Sequence, residues 1–260
     1  MTTNAQFESL TIQKAGKVAT VTLNNPPVNA VTLAVYQALA DCFQAANDWG
    51  DTNCIVLTAA GSKAFCAGLD LNEFLSATIE DDPRRARVIR RCFENIRKCT
   101  IPTIAAVNGP ALGAGAVIAS VCDIRIAAEN ARFGLPEINV GRCGATAHLG
   151  RHLPQGVLRR MFFTGQPIDA HEAKRWGFVD SIVPIEQLME EAHALAALIA
   201  AKAPLGLRLG KEALNAVEFM SVEDGYQLEQ SFSTRLMATE DAREASQAVV
   251  QKRAPVFKGR

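Results

Sequence analysis

This sequence has no surplus of either charge, no long apolar run and no paired-cysteine motif, and each absence closes off a class of function. Its 27 Lys and Arg cancel its 27 Asp and Glu over 260 residues. The basic footprint of a nucleic-acid binder is therefore missing. No unbroken stretch of the roughly 18 uncharged apolar residues that a membrane span requires is present. The opening Met1-Thr2-Thr3-Asn4-Ala5-Gln6 also lacks the basic start and apolar run of a secretory leader. We expect neither nucleic acid nor membrane as a partner. The seven cysteines are odd in number and form no CxxC pair, which argues against a disulfide framework and a zinc ribbon alike. Several lie inside apolar runs, where cysteine acts as a small hydrophobe. A reducing compartment, the cytoplasm, is the expected location.

What the sequence does contain is apolar residues, 48% of the chain, too many for a disordered polymer. That amount supports a large core in one or two domains. Two strands flank Lys14-Ala15-Gly16-Lys17, the second being Val18–Leu23, and Asn25-Pro26-Pro27 breaks the ladder. Apolar residues recur at helical spacing from Thr32 to Trp49. Cys54–Thr58 and Pro102–Val107 are nearly unbroken apolar runs, as expected of strands covered on both faces. Between them lie a glycine-punctuated loop, Ala60–Leu71, and a helix that opens at Asp82-Pro83 and runs towards Cys99. An apolar helix leads into Val121, and Asp123–Ala128 reads as another strand. Alternating strands and helices point to parallel pairing through right-handed crossovers. From about residue 142 helix follows helix, apart from a brief strand at Phe178–Val183. The expected architecture is α/β over residues 1–195, with a closely joined helical region over 196–260.

Two backbone turns are suited to hold a ligand. At Ala67-Gly68-Leu69 a small residue and a glycine let the chain bend sharply and approach a ligand closely. Gly113-Ala114-Gly115 follows a strand and opens a helix, where free N–H groups favour an oxyanion. Two such donors on one carbonyl oxygen would stabilise an enolate. Gly109, Gly113 and Gly115 do not spell GxGxxG, and no lysine follows as in a phosphate-binding loop. His148 and His152 share a helix face without the glutamate of an HExxH site, so no metal is expected.

Five ordered motifs resemble the crotonase (enoyl-CoA hydratase/isomerase) superfamily. They are Asn25–Ala30, Ala64–Leu71, Pro102–Gly109, Cys122–Ala127 and Phe133–Glu137, and Phe163-Thr164-Gly165 and Ala173–Asp180 continue the match. The resemblance implies a spiral of ββα units with a helical C-terminal trimerisation region, assembled as a homo-trimer or hexamer. It implies an acyl-CoA thioester as substrate, with coenzyme A part of that substrate and no separate cofactor. It further implies an oxyanion hole from the amides of Leu69 and Ala114, alanine standing where the family usually has glycine. Val28, Ala64, Ala67, Asp70 and Leu71 would line the adenine and pantetheine path. Phe257 and Lys258 resemble a tail that reaches a neighbouring subunit's adenine site.

Hydratases of this family carry two glutamates. One matches Glu137, while Val117 occupies the position of the other. Addition of water needs both a base and an acid. Double-bond migration needs only one carrier, which takes a proton α to the thioester and returns it at the γ-carbon. The expected reaction is therefore a Δ3-to-Δ2 enoyl-CoA shift with Glu137 as proton shuttle. Hydration or dehydration, or a non-catalytic CoA-binding relative, is the alternative. The stretch Gly141–His148 is shorter than the glycine-rich loop of typical hydratases. In it Arg142, Cys143 or His148 could supply a second polar group, and an inward Arg142 would suit a substrate with its own carboxylate. The cluster Arg84, Arg85, Arg87, Arg90, Arg91, Arg97 and Lys98 reads as a solvated face or a phosphate contact. Phe74 and Phe93 read as core, or as acyl-pocket wall.

Overall fold

A computed structural model describes residue 7 and residues 9–260; the segment read above for a leader lies outside the described residues. The elements in chain order begin with strands β1 (Leu10–Ala15) and β2 (Val18–Leu23), helix α1 (Leu33–Ala46) and strand β3 (Cys54–Ala59). Helices α2 (Leu71–Ser76) and α3 (Asp82–Lys98) follow, then β4 (Thr103–Val107), β5 (Ala111–Leu112) and α4 (Ala114–Val121). Next come β6 (Ile124–Ala128), β7 (Arg132–Gly134), a 3₁₀ turn at Pro136–Val140, α5 (Thr146–Leu149) and α6 (Gln155–Thr164). The chain closes with β8 (Ile168–Asp169), α7 (Ala170–Arg175), β9 (Ser181–Val183), α8 (Leu188–Ala200), α9 (Pro204–Val217), α10 (Val222–Met237) and α11 (Glu240–Val250).

Six strands form one sheet in the order β1-β2-β3-β4-β6-β9, parallel except for the β1–β2 hairpin. A small second sheet, β5-β7-β8, stacks the short strands. After β2 the chain thus climbs as a spiral: β4 and β6 enter the large sheet, and β5 and β7, one step later, enter the small one. All six residues of β3 and all five of β4 are buried, which is why both read as continuous apolar runs rather than alternating ones. One face of the sheet packs on α1, α3 and α4. The other is covered by α8 through Leu188, Ala192, Ala196 and Ala200 against Cys54, Val56, Ile104 and Ile126.

A division at 195/196 falls inside α8, which belongs with the sheet it covers. The helices beyond are bolted to the spiral by polar side chains. Lys211 of α9 is buried, with Nζ 2.7 Å from Asp123 and 3.0 Å from the Ile101 carbonyl. Arg208 donates to the carbonyls of Asn47 and Trp49. Buried cations persist only when so paired. Helix α2 was not legible as a helix: it is short, with no buried residue to set a period, and it is nucleated by Asp70, whose side chain accepts from the Glu73 amide at 2.9 Å. All seven cysteines are free, and only Cys143 is exposed. Among the described residues no single helix is long and apolar enough to cross a membrane.

Candidate active site

The loop after β3 is laid against the strand after β4. Cys66 accepts from the Leu112 amide at 2.9 Å and donates to the Pro110 carbonyl at 3.2 Å. A few residues on, Gly68 accepts from the Val31 amide, and Asp70 donates to Val31. This lacing leaves the Leu69 amide between its neighbours' bonds, with no backbone acceptor among the described residues. Ala114 is the first residue of α4, whose amides have no partner one turn back. Gly68 (φ +99°) brings the two turns together: a methyl built on it would lie 3.0 Å from the Leu112 carbonyl and 3.9 Å from Ala114 N. Leu69 and Ala114 both border one cavity of about 470 Å³.

Glu137 enters the same cavity from the first turn of the 3₁₀ segment, whose start is set by Pro136. Its carboxylate lies directly behind the helix-opening glycine. A methyl on Gly113 (φ +52°) would come within 2.9 Å of Glu137 Oε1, so glycine is required there by both backbone and space. Glu137 Oε2 is buried without a hydrogen-bond partner. Burial pushes the carboxyl above the usual 4.5, with its own backbone amide opposing. A carboxylate held in this way can take a proton from carbon, because it is poorly solvated and one of its oxygens has no hydrogen bond to give up.

The rest of the wall is made of side chains from four helices. Val117 of α4 is buried and apolar against the cavity. Tyr36 of α1 and Phe93 of α3 meet edge to face, 5.8 Å apart, and Phe93 meets His148 of α5 at 5.3 Å. Burial, reinforced by Arg151 and Arg97, holds the His148 imidazole below its usual 6.5, so it is neutral near pH 7. Burial raises the Tyr36 phenol well above 10, with Arg85 opposing. Arg142 spans the cavity's mouth. Its guanidinium lies 4.4 Å from the Phe74 ring centre and 3.2 Å from Asp82 at the start of α3.

The structure thus gathers Ala67, Leu69, Leu71, Ala114, Val117, Glu137, Arg142 and His148 around one cavity, eight of the residues singled out in the sequence. Others are not brought there. Val28 and Ala64 offer their carbonyls to Ala67 and Asn29 behind the turn, and Asp70 caps α2. The tail with Phe257 and Lys258 is tied to α11, where Asp241 accepts from the amides of Lys258 and Gly259 at 2.7 and 2.8 Å. Within a single chain it lies away from the cavity.

Arg85 requires a correction. It is not on a solvated face but 6% exposed, lining the cavity and 2.7 Å from Glu73. The signal was present: Arg85 precedes Ile89, Cys92, Phe93 and Ile96 at helical spacing, on the buried stripe of α3. Tyr36 was likewise read as one more apolar member of α1. A second concavity of about 660 Å³, between the 143–151 segment, α6 and Phe219, is larger but includes no carboxylate. Volume alone does not locate the site; converging groups do. Among the described residues no cluster of three or more His, Cys, Asp or Glu could hold a metal ion.

Comparison with known proteins gives the same picture. A family model described as enoyl-CoA hydratase/isomerase matches residues 13–260. A hydrolase of (7aS)-7a-methyl-1,5-dioxo-2,3,5,6,7,7a-hexahydro-1H-indene-carboxyl-CoA from Mycobacterium tuberculosis is 37% identical, over 90% of this chain and 95% of its own. The 2,3-dehydroadipyl-CoA hydratase of Escherichia coli is also 37% identical, over 98% of this chain and 100% of its own. A crystal structure of enoyl-CoA hydratase from Bacillus anthracis superposes with a TM-score of 0.93 at 34% identity, covering 97% of this chain and 100% of that one.

Proposed function

Because this chain belongs to the enoyl-CoA hydratase/isomerase family, we propose that its cavity binds an acyl-CoA thioester and turns it into an enolate. The observation that carries this reading is Glu137: a half-buried carboxylate with an unpartnered oxygen, in one cavity with the amides of Leu69 and Ala114. The thioester oxygen would accept from those two amides, and charge developing on it in the transition state would be held by donors already in place. Ala67 and Leu71 would flank the pantetheine as it leaves the cavity. Val28, Ala64 and Asp70 would shape that path from behind, and Phe257 and Lys258 would serve a neighbouring subunit. Exposed apolar side chains of the C-terminal region, Leu214, Phe219 and Val222 among them, support assembly as a homo-trimer or hexamer.

With Val117 and Glu137 lining the same cavity, its side chains among the described residues supply one carboxylate. The reaction this suits best is double-bond migration. Glu137 takes the α-proton of a 3-enoyl-CoA, the dienolate rests on the two amides, and the same carboxyl returns the proton to the γ-carbon, leaving the conjugated 2-enoyl-CoA. The proton is conserved and no separate cofactor is called for. The similar proteins described above are named as hydratases and a hydrolase, and none of them as an isomerase alone. Hydration is therefore the second reading, favoured by two named hydratases among the similar proteins. Here the neutral His148 or Tyr36 would help Glu137 to handle water.

Ultraviolet spectroscopy separates the two. Conjugation of a 3-enoyl-CoA with slow loss of crotonyl-CoA absorbance is the expected result. Rapid hydration of crotonyl-CoA without conjugation of the 3-enoyl compound would establish the second reading instead. If an isotope label on the α-carbon neither exchanged with water nor appeared at the γ-carbon of any acyl-CoA tested, enolate formation would be refuted.

A further inference from the structure

We propose that the cavity selects an acyl group that carries its own carboxylate, with Arg85 as the residue that binds it; this rests on the acyl-CoA reading of the same site. Arginine is rarely this buried unless a specific partner requires it. Arg85 is 6% exposed, yet it lines the cavity. Its placement is fixed from behind: Glu73 lies 2.7 Å from Nη2 and also accepts from the Leu33 amide at 3.0 and 3.1 Å. Glu73 engages one end of a guanidinium that offers five donors, which leaves the rest of the fork to a ligand. A carboxylate fits that fork in two-pronged fashion.

Charge around the cavity points the same way. Arg85, Arg90 and Arg142 line it, against a single acid, Glu137. The counter-ions Glu73 and Asp82 stand outside the lining. They offset two of these charges from outside the cavity, and the guanidinium donors they leave open belong to the lining, where an anionic acyl group can engage them. The coenzyme's phosphates are the other source of negative charge, but they are heavily hydrated and suit Arg90, which is exposed. Arg85 lies inside, close enough for its charge to act on the Tyr36 hydroxyl, itself on a residue only 3% exposed. An acyl chain anchored at Leu69 and Ala114 can carry a small carboxylate to that depth, with Tyr36 as an additional donor.

Saturated thioesters test this without any reaction taking place. Succinyl-, adipoyl- and suberoyl-CoA would be titrated calorimetrically into the full chain beside butyryl-, hexanoyl- and octanoyl-CoA and free CoA. We expect at least one carboxylated member to bind about tenfold or more tightly than its methyl-ended counterpart, the scale of a charge-assisted hydrogen bond. Arg85→Gln should erase that difference and leave free CoA and the methyl-ended series unchanged. Since this variant strands Glu73, the pair Arg85→Gln/Glu73→Gln serves as a second version with a neutral replacement. Equal weakening of free CoA and all thioesters by either variant would make Arg85 a phosphate contact and overturn the proposal. Methyl-ended thioesters binding as well as their carboxylated counterparts would overturn it while leaving the acyl-CoA reading intact. Failure of every CoA compound to bind would remove both.

Discussion

One side of the cavity is made of main chain and a single acid, the other of side chains sent in by α1, α3 and α5. On the first side the Leu69 and Ala114 amides are held by a lattice of backbone hydrogen bonds and a helix start, and Glu137 is packed against Gly113. On the second, Tyr36, Arg85, Phe93 and His148 meet through edge-to-face contacts and one ion pair to Glu73. Backbone geometry can hardly be altered without undoing the turn, whereas a side chain can be exchanged with the scaffold intact. The first side is thus suited to a chemistry shared across a family. The second is suited to the choice of substrate, and the two should fail differently when broken.

The largest expected effect comes from Glu137→Gln. Loss of the only carboxylate that lines the cavity among the described residues should lower turnover by about 10²- to 10⁴-fold, the usual range for general acid–base catalysis, while CoA binding persists. The same variant should keep or raise the thermal midpoint at neutral pH. Because the folded pKa of Glu137 is raised, its contribution to stability is greatest in acid and is lost as pH rises through that value. Catalysis runs in the opposite sense. A base must be ionised, so the rate should fall on the acid side at a pH above 4.5. A profile unchanged in Glu137→Gln, or full turnover by that variant, would dismiss Glu137 as proton carrier.

Ala114→Pro should follow, at about 10²- to 10³-fold in turnover, the scale of one lost oxyanion donor. Proline is tolerated at the first position of a helix, so α4 should form and circular dichroism should match the parent. Little change in turnover by this folded variant would mean that the amide is not used.

The smallest effect lies behind the side-chain wall. His152 points Nε2 at the Ser120 carbonyl, 3.0 Å away, and burial, then Arg125, depress its pKa to about 4. A depressed histidine adds stability above its ordinary value of about 6.5, and that stability drains away as pH falls towards 4. Between pH 7 and 5 the parent should lose more thermal midpoint than His152→Gln, with turnover at pH 7 changed less than in either variant above. Identical acid sensitivity of the two proteins would count against the buried neutral imidazole.

The same division governs what could be read in advance. Ala67-Gly68-Leu69, Gly113-Ala114 and Pro136-Glu137 are local words: turn geometry, a helix start and a pre-set φ are encoded within a few residues. The catalytic roles proposed for them come from the family they resemble. The second wall has no such words. Tyr36 and Arg85 are far apart in sequence, on helices whose periodicity says which face is inward but not what that face meets. Arg85 was misjudged because a cluster of arginines suggests water, and only the packing of α3 turns one of them inside. The tail at Phe257 and Lys258 matched a family pattern, while its hydrogen bonds to Asp241 follow from how α11 ends.

By itself, then, the amino-acid order determined the buried parallel strands, the two amide-bearing turns and the lone acid, since each depends on short-range sterics and on apolar pattern. Tertiary structure decided the company these groups keep. Burial, the gathering of arginines and the depth at which Arg85 waits arise from helices converging on one space, and no local stretch of chain contains that information.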